Sequence, residues 1–145
     1  MEIDFLDPER LFSLRLVWDT AALVLIWLVQ LVIYPSFQHY LTPEFRTWHT
    51  SYTRRVTYIV MPVMIGQLAL YLYQAFNGFS WDIWLNLALI AGAWGITFFR
   101  AVPAHSAIGL AESHLPLAER LVRENWFRTV LWTAVWLVTV GGVFS

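Results

Sequence analysis

Four apolar stretches, residues 16–34, 56–74, 81–99 and 126–144, occupy most of this 145-residue chain. Each is close to the ~20 residues that a helix needs to cross a hydrocarbon core about 30 Å thick. In lipid no water is available to backbone N–H and C=O groups, so each crossing segment must satisfy its own hydrogen bonds. Four such stretches, without the alternation of a membrane barrel, predict four helices. The expected fold is all-α: one integral membrane domain, residues 1–145, built as a four-helix bundle with short amphipathic interfacial helices.

Composition supports this reading. Hydrophobic residues make up 59% and charged residues 13%, about half the ~25% charge of a soluble domain. The net charge of -1 gives nucleic acid nothing to bind, and the absence of cysteine excludes disulfides and thiolate metal sites. Glu2, Asp4, Asp7 and Glu9 stand where a cleavable signal would carry positive charge, so the first span is expected to remain in the mature protein.

Seven of the nine basic residues, Arg46, Arg54, Arg55, Arg100, Arg120, Arg123 and Arg128, lie in or beside the two long junctions, 35–55 and 100–125. The positive-inside rule puts those junctions in the cytoplasm and both termini on the other side, in what is expected to be a bacterial inner membrane. Asp7-Pro8-Glu9 and Thr42-Pro43-Glu44 mark helix starts. The first predicts a short amphipathic helix carrying Leu11, Phe12, Leu14 and Leu16; the second predicts a helix from Pro43 to about Tyr73, so that His49 and Tyr52 ride on its cytoplasmic extension. The two halves echo each other, with Pro35 and Pro103 near the ends of spans one and three and a histidine shortly after each.

The chemistry is expected at that cytoplasmic level. Gln30 and Tyr34 end span one; His49, Tyr52, Arg54 and Arg55 open span two; Arg100 and His105 end span three; Asn125 and Arg128 open span four. Histidines can ligate a metal ion or haem iron, or move protons near neutral pH; arginines pair with propionate, phosphate or another anion. His49, His105 and Tyr52 are the candidate catalytic residues, and the two histidines are also the candidate metal ligands. Gln30, Tyr34, Arg54, Arg55, Arg100, Asn125 and Arg128 are the candidate cofactor contacts. His39 and His114 fall in loops and are expected to face water. Arg46, Arg120 and Arg123 need no explanation beyond topology. Gln67 and Asn86 read as interhelical glue, and Pro62 as a kink in span two. No Walker loop, HExxH, GxSxG or GxGxxG occurs, and the carboxylates are placed at the opposite face or at helix starts, which argues against two-carboxylate catalysis.

Trp27-x-x-Gln30-x-x-x-Tyr34-Pro35, Phe45-x-x-x-His49-x-x-x-x-Arg54-Arg55, Pro103-x-His105 and Asn125-Trp126-x-Arg128-Thr129 resemble the pattern of small uncharacterised bacterial four-span membrane proteins. The layout also resembles that of HemJ-type protoporphyrinogen oxidase. Such enzymes are expected to carry a His in span one and a Lys in span three, whereas this chain has no His before His39 and no Lys. The resemblance implies that a bundle of this size can hold a tetrapyrrole or similar planar ligand between its helices. The sequence therefore predicts a cytoplasmic-side His/Arg/Tyr pocket for a cofactor, haem-like or a metal ion, or for a lipid-soluble substrate, with membrane-bound oxidoreductase as the enzymatic form. The competing expectation is a non-catalytic accessory subunit. Expected partners are membrane lipids, a hydrophobic small molecule, and either further copies of the chain or a larger membrane complex.

Overall fold

The computed structural model describes residues 7–78 and 80–142, without the side chain of residue 42. Glu2, Asp4 and the predicted end of span four at Phe144 lie outside the described residues. Four helical rods account for nearly all of the rest: α1, Pro8–His39; α2, Thr42–Asn77; α3, Trp81–Ile108; and α4, Leu115–Gly141. The first three are long and apolar enough to cross a membrane. Short connections make the rods alternate in direction. Each packs on its neighbour in sequence, and α1 closes the ring on α4.

The local signals account for the starts. The Asp7 carboxylate accepts from the Arg10 backbone N–H at 2.8 Å, and Pro8 fills the first turn, where no N–H is needed. The short amphipathic helix expected ahead of span one is not a separate element: Pro8 opens a rod that runs straight into the apolar stretch, as Leu115 does for span four. α2 continues through Pro62 as one helix.

Polarity is distributed inside out. Val17, Val24, Leu31, Ile59, Phe99 and Leu137 are exposed, whereas Asp19, Gln30, Gln67, Asn86, Asn125, Arg128 and Thr139 are buried. Two apolar cores separate these polar groups into layers. One surrounds Ile26, Met64, Ile90 and Trp132; the other, at the far end, is built on Phe37, Phe45, Ile108 and Leu121.

Candidate functional site

At the level where α1 and α3 end and α2 and α4 begin, both outgoing rods change pitch. A π-helical turn occupies Val29–Ile33 in α1 and another Thr97–Ala101 in α3. Each stops two residues before a proline, Pro35 or Pro103. Proline has no N–H for the carbonyl four residues back, and its ring crowds that carbonyl; a wider turn relieves both defects. In α1 the wider turn keeps Gln30, Tyr34 and Phe37 on the inner face, all three fully or almost fully buried. The matching turns give the weak repeat read in the sequence a structural counterpart.

Two hydrogen-bonded runs then link all four rods, and valence fixes the direction of the first. The Val122 carbonyl can only accept, so the Gln30 amide donates to it at 3.2 Å and turns its Oε1 to the Asn125 Nδ2, 2.9 Å away. That turns the Asn125 Oδ1 to Arg128, whose Nη1 donates at 3.0 Å. The guanidinium, which can only donate, lines the same cavity as Tyr34. The Tyr34 hydroxyl meets His105 Nε2 at 2.9 Å, a bond in which either atom can donate. In a neutral imidazole one nitrogen accepts and the other carries the hydrogen. His105 Nδ1 meets His49 Nε2, again at 2.9 Å, so the proton between the rings and the one between Tyr34 and His105 must point the same way along the chain. Nitrogen-15 spectra of histidine-labelled protein are expected to show His49 and His105 as the same tautomer, both Nδ1–H or both Nε2–H; one of each would break the chain.

Phe37 lies against this chain, with its ring centroid 5.4 Å from those of Tyr34 and Tyr52 and 5.7 Å from that of His49. Beside the chain is a cavity of about 140 Å³ between the rods, whose lining includes Tyr34, Tyr52, Met61, Ala101, His105 and Arg128. On the far side of His105 a groove of about 410 Å³ opens outward along His49, Thr53, Ser106 and Gly109. Tyr34 lines the cavity, His49 lines the groove, and His105 lines both.

Arg128 gives the cavity its charge. It is 7% exposed and forms no salt bridge among the described residues, and its buried Nε has no partner. A cation taken out of water without a counter-ion is costly, by several kcal/mol. Arg128 is thus a buried cation at the cavity wall with hydrogen-bonding capacity to spare.

Other candidates stand elsewhere. Arg54 and Arg55 are exposed, and Arg55 borders an outward groove with Trp48 and Ile59. Arg100 is exposed and pairs with Glu124 at 3.6 Å. Gln30 and Asn125 do not line the 140 Å³ cavity; they hold Arg128 in place. His114, expected to face water, is buried: its Nε2 meets the Phe37 carbonyl at 2.9 Å and its ring stacks on Phe45. His39 is exposed, as its place in the connection suggested.

The fit of a metal or haem can be tested on the same geometry. His49 and His105 share one hydrogen between facing nitrogens, and a metal would need both lone pairs. No group of three or more His, Asp, Glu or Cys side chains able to hold a metal ion occurs among the described residues. Two axial imidazoles on one iron, each bonded at about 2 Å, would stand about 4 Å apart, and a drug-sized ligand occupies about 300–1,000 Å³. The residues and the cavity do not fit a resident tetrapyrrole or metal ion.

A second polar cluster, at the opposite end of the bundle, was not recognised from sequence. Asp19, Gln67, Tyr71, Asn86 and Thr139 meet there, one or two from each rod. The available signal was a carboxylate three residues inside an apolar stretch, with Gln67 and Tyr71 four apart on one helical face.

No known protein family, curated protein or solved structure matches this chain.

Proposed function

We propose that the chain is an integral membrane protein, with four spans and both termini on the non-cytoplasmic side, that binds a small lipid-soluble molecule carrying an oxyanion head. The observation that carries this reading is Arg128, a buried guanidinium with no salt bridge among the described residues and a buried nitrogen left over, at the wall of an interhelical cavity. The inside-out distribution of polarity supports the membrane part, because hydrocarbon is the solvent in which exposed Val, Leu and Phe cost nothing. The ligand head would sit against Arg128 with its tail toward Val60, Met61 and Met64. Tyr34, His105 and His49 would pass a proton between that head and the outer groove. Such a site serves a substrate whose oxygen changes protonation, as in the redox cycle of a quinol-like lipophile, and makes no use of Arg54, Arg55 or Arg100.

The test is mass spectrometry of the intact protein released from nanodiscs. A stoichiometric lipophilic adduct with an acidic oxygen is expected on the wild type, reduced at least tenfold in Arg128→Met. Ala101→Leu, which fills the cavity and leaves the guanidinium in place, is expected to lose it as well. A wild-type chain free of adduct, or an adduct retained by both variants, overturns the reading.

A further inference from the structure

The cluster around Asp19 is built to hold a proton. Asp19 lies within the first apolar stretch and is 1% exposed. Its Oδ2, the Tyr71 hydroxyl and the Thr139 hydroxyl form a triangle of oxygens: 2.7 Å from Tyr71 to Oδ2, 2.6 Å from Thr139 to Oδ2 and 2.8 Å between the hydroxyls. Oδ1 accepts from the Gln67 amide at 2.6 Å. The Asn86 amide donates to the Tyr71 and Thr139 oxygens at 2.9 and 3.0 Å.

Counting hydrogens decides what the triangle can bind. With Asp19 ionised, the two hydroxyls supply two hydrogens, both aimed at the carboxylate, and the edge between Tyr71 and Thr139 is two close oxygens with nothing between them. One added proton fills that edge. Asp19 then donates to Thr139, Thr139 to Tyr71 and Tyr71 back to Asp19, so three hydrogens serve three edges. Neither Gln67 nor Asn86 has to move. A cation fares worse, because the hydroxyl hydrogens and the Gln67 N–H already point at the carboxylate and would have to turn away. An ionisable group inside a span is a functional site by default, and here the surrounding donors name the ligand.

We propose that Asp19, Tyr71 and Thr139 form a proton-binding site inside the bundle, separate from the cavity at Arg128 and independent of the function proposed for it. The site communicates with the non-cytoplasmic end through Arg15, one turn earlier on α1, whose Nη1 binds Asp82 of α3 at 2.7 Å. The charged or titratable groups facing Asp19 are therefore Arg15 from its own helix, Tyr71 from α2 and, through Arg15, Asp82 from α3. α4 contributes the Thr139 hydroxyl.

Infrared difference spectra of the full chain in nanodiscs, recorded across a pH titration, test this. The wild type is expected to develop a carboxylic acid C=O band on acidification that is lost completely in Asp19→Asn. In the ring-closed state Oδ1 is the carbonyl and Gln67 its only donor, so Gln67→Leu keeps the band and moves it to higher frequency. Should Asp19→Asn fail to fold, the Gln67→Leu shift decides alone. A spectrum without such a band while the protein remains helical, a band that survives Asp19→Asn, or one that ignores Gln67→Leu overturns the proposal.

Discussion

A methyl group added at Gly66 is expected to weaken the whole bundle. A Cβ built there would lie 2.5, 2.7 and 2.8 Å from three carbons of the Trp18 ring, closer than unbonded carbons approach. Either the indole must swing out toward the bundle surface or α1 must retreat from α2. Overpacking of this kind costs about 1–3 kcal/mol, so Gly66→Ala should lower the unfolding midpoint in mixed micelles, and Gly66→Leu should prevent α1 from docking. Trp18→Ala alone removes a partly buried ring, and combined with Gly66→Ala it removes the clash. The pair is therefore expected to be non-additive by about 1–2 kcal/mol, and simple additivity would show that the indole is not the obstacle.

His105→Ala carries the second large effect, because it severs two hydrogen bonds at once. The Tyr34 hydroxyl and the buried His49 Nε2 each lose a partner. Each orphaned group costs about 1–3 kcal/mol, so the loss should reach about 3–5 kcal/mol once the vacated volume is included. Tyr34→Phe removes only the first link and should cost about 1–2 kcal/mol. The comparison also separates stability from chemistry. Tyr34→Phe leaves Arg128 and the cavity in place, so it should retain the lipophilic ligand while slowing proton exchange, read as a pH-dependent change in ligand absorbance or fluorescence. Equal losses of stability in the two variants would mean that the chain from Tyr34 to His49 is not a unit.

The rods were legible because length and hydropathy alone specify them, and so were their starts, where Asp7-Pro8 and Thr42-Pro43 leave little choice. The members of the two hydrogen-bonded runs could also be named, since Gln30, Tyr34, His49, His105, Asn125 and Arg128 are the polar groups at one depth. Which of them face inward was harder. At about 100° per residue, Arg54 and Arg55 stand about 140° and 240° around α2 from His49, so the same helix that presents the imidazole turns both guanidiniums outward. Arg100 lies within the π turn in α3, whose extra residue per turn no pattern of hydropathy announces; only Pro103 hints at it. His114 looked like a solvated connection residue because burial against Phe45 and bonding to the Phe37 carbonyl are tertiary events. Asp19 reads in sequence only as a carboxylate at the face opposite the candidate site, because its partners come from two other rods.

The partners of Asp19 also bear on how the chain enters a bilayer. In the proposed membrane arrangement, a carboxylate inside a span raises the cost of insertion, by about 2.5–3.5 kcal/mol at the centre of a helix and less near its end. Arg15 faces Asp19 from its own helix, and the next groups able to relieve it, Gln67 and Tyr71, both belong to α2. α1 would then complete the hydrogen bonds of Asp19 only when α2 arrives beside it, and the two should leave the translocon as a hairpin. α4 comes last, delivering Thr139 to one end and Arg128 to the other, so assembly of both polar layers waits for the final helix to be made.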